Sequence, residues 1–248
     1  MEKCLNCGTE LMGPYCHNCG QQKISRGLTV KNSFDEYFYK SIYWESSFSY
    51  TVRDLFLAPG KFVRNFIEGR RKDYVKPVGF FIMTVSFFLL MMHFFSEGHF
   101  SYMKETFIGP NTNEMIDSKV STAEFQQLLV SRLNYLMFLL PPILAMFHSL
   151  IFRNKEVVYG EKLAFYFYIL GFGALINVVF LPLSLIHPVI WTIRFIPLIV
   201  YYVYAMIQFS ESNILSGIFK SLITLTLGNL LYFGFVILIL LGWLEMTK

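Results

Sequence analysis

Cys4, Cys7, Cys16 and Cys19 are the residues whose types and spacing best suit chemistry. They form two pairs, Cys4-Leu-Asn-Cys7-Gly8 and Cys16-His-Asn-Cys19-Gly20, with eight residues between Cys7 and Cys16. Two thiolates separated by two residues can reach one ion from a tight turn, and two such turns complete the tetrahedral shell that Zn2+ prefers. The glycine after each pair suits a turn that needs positive φ, and Gly13-Pro14 supply the reversal that folds one pair onto the other. A shell of four thiolates is closed, so such a zinc would organise a fold and leave no open position for substrate. His17 is a competing donor, but the four cysteines already complete the set. Two disulfides would need an oxidising compartment. A redox-active Cys-x-x-Cys wants a strand-to-helix context that some 20 turn-rich residues do not provide.

Elsewhere the chemistry-bearing residues are scattered. No nucleophile elbow, phosphate loop, His-Glu-x-x-His motif or pair of intramembrane carboxylates is present. Arg194 is the ionisable residue set well inside an apolar run, where a charge is by default a functional hypothesis; six residues after Pro188, it can also snorkel to the outer interface as an anchor. His93, His99 and His187 fall towards one membrane face and His148 towards the other, so the four do not form one site, while the three outer ones stay a minor candidate for a metal or proton site. Asn177 and Asn229 lie about midway along two apolar segments, where an amide pair would serve as packing glue. Tyr201, Tyr202 and Tyr204 suit an inner aromatic belt.

The elements that must position these residues follow from a change in composition. Of 248 residues, 54% are hydrophobic and 15% charged, well below the roughly 25% charged fraction of soluble domains. The apolar excess begins at Pro77. Residues 1–22 read as a zinc ribbon, 23–76 as an amphipathic helical connector, and 77–248 as a transmembrane bundle. In the connector, Ser33-x-x-Glu36 resembles a capping box, followed by Phe34, Tyr37, Phe38 and Ile42 on one face. A second helix carries Val52, Leu55 and Phe56 and stops at Ala58-Pro59-Gly60. A third carries Phe62, Val63, Phe66 and Ile67 and ends at Gly69. These helices either lie in the head-group plane or pack as an ordinary helical subdomain. Twelve of the 21 Lys and Arg residues precede Pro77, and Arg70, Arg71, Lys72 and Lys76 suit anionic lipid head groups. Eight acidic residues in the same stretch offset the field and disfavour nucleic acid.

Five segments reach the length of about 20 mostly apolar residues that a spanning helix needs: Pro77–Phe95, Leu133–Phe152, Leu163–Ile186, Pro188–Phe209 and Ile218–Leu244. Pro141-Pro142 and Pro182 are expected to kink the second and third. The external loop 96–132 holds three basic residues, against twelve before Pro77. The positive-inside bias then puts the N-terminus in the cytoplasm and the C-terminus outside. That orientation also keeps the thiols in a reducing compartment. The first 20 residues contain no apolar signal-peptide core. The expected fold class is thus an all-α membrane protein with about five transmembrane helices behind a zinc ribbon and amphipathic helices.

The motifs Cys4-x-x-Cys7-Gly8, Tyr15-Cys16-x-x-Cys19-Gly20-Gln21, Thr51-x-Arg53-x-Leu55, Pro59-Gly60, Phe66-Ile67-x-Gly69-x-Arg71-x-x-Tyr74 and Pro77-x-x-Phe80 together resemble an uncharacterised family of bacterial membrane proteins, in which a short zinc ribbon precedes a domain of unknown function. The resemblance spans the first 80 residues and is only a hydropathy profile beyond them. It implies a ribbon facing the cytoplasm of a bacterial inner membrane, and no activity. Five spans with an internal N-terminus also look like a topology found among membrane-trafficking proteins. The leading expectation is a non-enzymatic adaptor with a protein partner at the ribbon, and self-association of the bundle is open to it. A transporter or channel for small solutes or lipid is the alternative, and a lipid-directed enzyme ranks third.

Overall fold

A computed structural model describes residues 2–21, 23, 44–103, 136–153, 157–187 and 189–246. Among these, regular structure is helical apart from one antiparallel bridge, Lys3 to Glu10. The helices are α1 (Trp44–Leu57), α2 (Pro59–Ile67), α3 (Pro77–Met103), α4 (Leu140–Phe152, entered through a 3-10 turn at Met137–Leu139), α5 (Tyr159–Ser184), α6 (Val189–Ile193), α7 (Phe195–Ser210) and α8 (Ile214–Met246). The expected helix over Phe34–Ile42 and most of the loop 96–132 lie outside the described residues.

Among the described residues, three helices are long and apolar enough to cross a membrane, at Pro77–Phe95, Tyr159–Ser184 and Ile214–Ile239. The other two expected spans are shorter apolar helices, Met137–Phe152 and Phe195–Ser210. Their prolines account for the difference. Pro141 and Pro142 open α4 at its first turn, where no amide is needed, instead of kinking a longer helix. Pro197 stands in the first turn of α7 and has no N–H to return to Ile193, so the expected fourth span divides at Arg194 into α6 and α7. Pro182 lies in the last turn of α5, close to the end of that helix.

Aromatic side chains hold the connector to the bundle. Tyr168 of α5, fully buried, receives the edges of Phe62 and Phe66 at ring-centroid distances of 5.0 and 5.4 Å and packs against Phe80 at 5.8 Å. Its hydroxyl donates to the Val75 carbonyl at 2.6 Å. Leu55, Phe62, Val63 and Phe66 are buried in this same core with Phe165 and Phe209. The apolar faces of α1 and α2 that sequence left between lipid head groups and protein packing are therefore turned into the protein at these four positions. Phe56 and Leu57 remain exposed.

The Pro59-Gly60 step explains how α2 comes so close to α7. Pro59 opens the helix, and the Gly60 amide donates to Oε1 of Gln208 at 3.1 Å. A Cβ at Gly60 would stand 2.4 Å from the Phe209 nitrogen. Arg64, one turn on, donates to the Phe209 carbonyl at 2.6 Å and pairs with Glu211.

Candidate metal centre and its seat on the connector

The two cysteine turns are built alike. The Gly8 amide donates to the Cys4 carbonyl at 2.8 Å, and the Gly20 amide to the Cys16 carbonyl at 2.7 Å. The Cys4 amide returns to the Thr9 carbonyl at 2.7 Å, and the Cys16 amide to the Gln21 carbonyl at 2.8 Å. Gly8 and Gly20 adopt φ of 77° and 71°, the left-handed conformation for which a side chain is unfavourable. Asn18 ties the turns together by donating to Thr9 Oγ1 at 3.1 Å.

This construction brings the four sulfurs within 4.8 Å of one another. Cys4 and Cys19 are 3.6 Å apart, as are Cys7 and Cys16. A disulfide would need about 2.05 Å, and all four cysteines are free. Sulfurs about 2.3 Å from a central tetrahedral ion stand roughly 3.8 Å from each other, so the cluster fits a metal ion without rearrangement. His17 is not among the clustered donors. Among the described residues this is the one group of three or more His, Cys, Asp or Glu side chains close enough to hold a metal.

Backbone amides tune the thiols. Amides of Cys7 and Asn6 directed at Cys4 outweigh its desolvation and lower its pKa. The Thr9 hydroxyl and amide bring Cys7 down to about 6, whereas burial pushes Cys19 up to about 11. Amide donors directed at the sulfurs favour thiolates, the form that binds metal.

The head is seated on the turn that follows α2. Gln21 is buried, and its Nε2 donates to the Gly69 carbonyl at 2.7 Å while its Oε1 accepts from the Arg71 amide at 3.3 Å. Gly69 adopts φ of 120°, and a Cβ there would meet Leu5 Cδ1 at 2.5 Å. Leu5 and Gln21, one beside each cysteine turn, thus grip the 69–71 segment. Arg71 is engaged at the same place: Nε donates to the Phe66 carbonyl at 2.9 Å and Nη2 to the Ile67 carbonyl at 3.1 Å, closing the end of α2. Of the four basic residues expected to face lipid head groups, Arg70 and Lys72 are exposed, Arg71 and Lys76 half-buried.

The remaining connector motifs brace this seat. Thr51 Oγ1 accepts from the Val75 amide at 3.1 Å, and the Tyr74 hydroxyl donates to Asp54 at 2.7 Å. Burial and that carboxylate hold the Tyr74 phenol up to about 12, so it stays a donor across the physiological range.

Residues 45–89 match the family described as "Protein of unknown function (DUF3667)". The match covers the connector from α1 onward and the first half of α3. It takes in Thr51, Pro59-Gly60, Gly69, Arg71, Tyr74 and Phe80, and it begins after the cysteine head. The DUF3667 segment is less than a fifth of the chain, and it includes the surface that receives Gln21 and Leu5. No curated protein and no solved structure matches the chain.

The other polar residues singled out from sequence fall into place differently. Arg194 hydrogen-bonds Oδ1 of Asn177 and lies over the Phe195 ring at 4.5 Å. Asn177 and Asn229 do not bond each other: each donates to a carbonyl four residues back in its own helix. Both line, with Arg194, a cavity of about 480 Å³ between α3, α4, α5, α7 and α8. Tyr201 donates to the Leu55 carbonyl at 3.3 Å and Tyr202 abuts Gly173, so of the three tyrosines assigned to an aromatic belt only Tyr204 is exposed. His93 and His187 are not brought together, and the side chain of His99 lies outside the description. Sequence reasoning missed the network around buried His148, whose Nδ1 lies 2.9 Å from the Tyr166 hydroxyl and whose Nε2 lies 3.0 Å from Ser210 Oγ. Its partners are 18 and 62 residues away, beyond any local motif.

Proposed function

We propose that this protein is a non-enzymatic membrane adaptor whose cytoplasmic head is folded by one structural zinc ion. The observation that carries this reading is the closed cluster of four thiols seated through Gln21 on the DUF3667 segment. Cys4, Cys7, Cys16 and Cys19 are the ligands in this reading, and the donor set and the sulfur spacing favour zinc. The zinc holds the two turns together and takes part in no reaction.

In the same reading the chain crosses a bacterial inner membrane five times, with Met137–Phe152 and the α6–α7 pair as the second and fourth crossings. The domains then run 1–22, 23–76 and 77–248, with the N-terminus inside and the C-terminus outside. The charge bias of the loops supports this orientation. Anionic head groups meet the exposed Arg70 and Lys72, with Arg71 and Lys76 closer to the protein.

Purified protein is expected to carry one zinc per chain, and a Cys4→Ser/Cys7→Ser/Cys16→Ser/Cys19→Ser variant none. Crosslinking in native membranes, followed by affinity capture, is then expected to recover a partner from wild type that the cysteine variant fails to hold. Equal recovery from both would overturn the adaptor reading, and less than one zinc per chain would overturn the metal assignment. A transporter or channel for small solutes or lipid is the second reading, supported by the cavity at Arg194. Liposome flux no greater than that of empty vesicles removes it.

A further inference from the structure

The 480 Å³ cavity is shaped and charged in a way that the adaptor reading does not use. Its volume falls within the roughly 300–1,000 Å³ of small-molecule sites. Its α7 wall runs from Arg194, which caps the start of that helix, through Leu198 to Tyr202, and the α8 wall runs from Leu222 through Asn229 to Phe233. At 1.5 Å per residue these walls are about 12 and 16 Å long, so the space is elongated along the helices. Arg194 supplies the formal charge among the described lining residues; the other polar groups, among them Asn177, Asn229 and Tyr202, are neutral.

The way in is apolar. Phe195, Ile199, Leu222 and Phe233 line the cavity and are also between 41% and 56% exposed, and all four belong to segments read as membrane-embedded. A ligand arriving past them comes from the hydrocarbon region. A water-soluble solute would lose its hydration there, whereas a lipid chain would not. A guanidinium within apolar walls attracts a compact anion, and planar carboxylate or phosphate oxygens match its donors.

We propose that this cavity binds an acyl chain of an anionic lipid, with the head group against Arg194 and the chain lying between α7 and α8. The site stands whether or not the ribbon recruits a partner.

The test uses the full-length protein in nanodiscs of zwitterionic lipid. The probe is palmitic acid carrying a diazirine on its chain, with its methyl ester as the neutral control. The acid is expected to label peptides of α7 and α8, and the ester to label them at background. Arg194→Gln should lower labelling about tenfold, the lower range for losing a charge-assisted hydrogen bond, and Arg194→Lys should retain part of it. Ile199→Trp, which leaves Arg194 in place and fills the entrance, should also abolish labelling. It keeps the proposal testable if Arg194→Gln fails to fold. Excess palmitate and excess phosphatidylglycerol serve as competitors. Displacement by the first assigns a free fatty acid, displacement by the second assigns a phospholipid, and displacement by neither overturns the site. Equal labelling by acid and ester, or wild-type labelling in both folded variants, overturns it as well.

Discussion

Gln21 stands two residues beyond the last cysteine and spends both ends of its amide on the backbone of the 69–71 turn. Because it is buried there, truncation would leave a carbonyl and an amide without their partner, and each such loss is worth about 1–3 kcal/mol. Gln21→Leu is expected to free the head from the connector while zinc content stays at one per chain. Hydrogen exchange over residues 2–21 would rise without metal loss, whereas coincident zinc loss would mean that seating and metal binding are one event. The thiols give a second expectation. Cys19 stays protonated up to about 11, so metal binding near neutral pH must release its proton and zinc affinity rises with pH. Cys7, at about 6, takes up a proton as pH falls past that value, which steepens the loss below it. Competition with a chelator at pH 5.5, 6.5 and 7.5 measures the trend, and a flat profile would contradict thiolate ligation. The four-thiol cluster was legible in sequence because the spacing within each turn is local. The Gln21 seat was legible only as a motif residue of unstated purpose, since its partners are 48 and 50 positions away.

At the scale of elements, the connector shows what periodicity can and cannot give. The positions of Leu55, Phe62, Val63 and Phe66 mark apolar faces, but periodicity is indifferent to whether such a face meets lipid or protein. Tyr168, Phe165 and Phe209 decide the matter, and they reside more than 90 residues later. The same holds for Gly60, which reads as a turn residue beside Pro59 and proves to be a point of contact between α2 and α7. Gly60→Ala would set its Cβ 2.4 Å from the Phe209 nitrogen and 2.7 Å from the Ala205 carbonyl oxygen, both backbone atoms that cannot rotate away. A loss of about 1–3 kcal/mol is expected in denaturant titration in micelles. Gly234→Ala, with nothing within 4 Å of its Cβ, should be neutral or slightly stabilising. Equal effects of the two would argue against the close α2–α7 approach. Pro197 was overlooked because it stands in an unbroken apolar run, and hydropathy does not register a missing amide.

For the whole molecule, composition was a sound guide to a helical, apolar bundle and a poor guide to the length of each helix. Apolar length is additive along the chain, whereas helix continuity depends on individual prolines, so among the described residues the five apolar segments hold three long helices and three shorter ones, α4, α6 and α7. The cavity was beyond sequence for a related reason. Its walls come from five helices, and only the unusual placement of Arg194 hinted at it.

The hydrogen bond from Gln21 to Gly69 joins positions 48 apart, and so turns the chain into a closed ring that contains α1 and α2. The seat is therefore an intramolecular contact, and the head engages it as a ligand tethered to its own receptor would. Its occupancy depends on an effective concentration set by the intervening chain. Insertion of a protease site within residues 24–43 puts this to measurement. After cleavage the head should dilute away from the membrane fraction, although every contact it made is still available. Retention after cutting would show that the clasp holds without its tether.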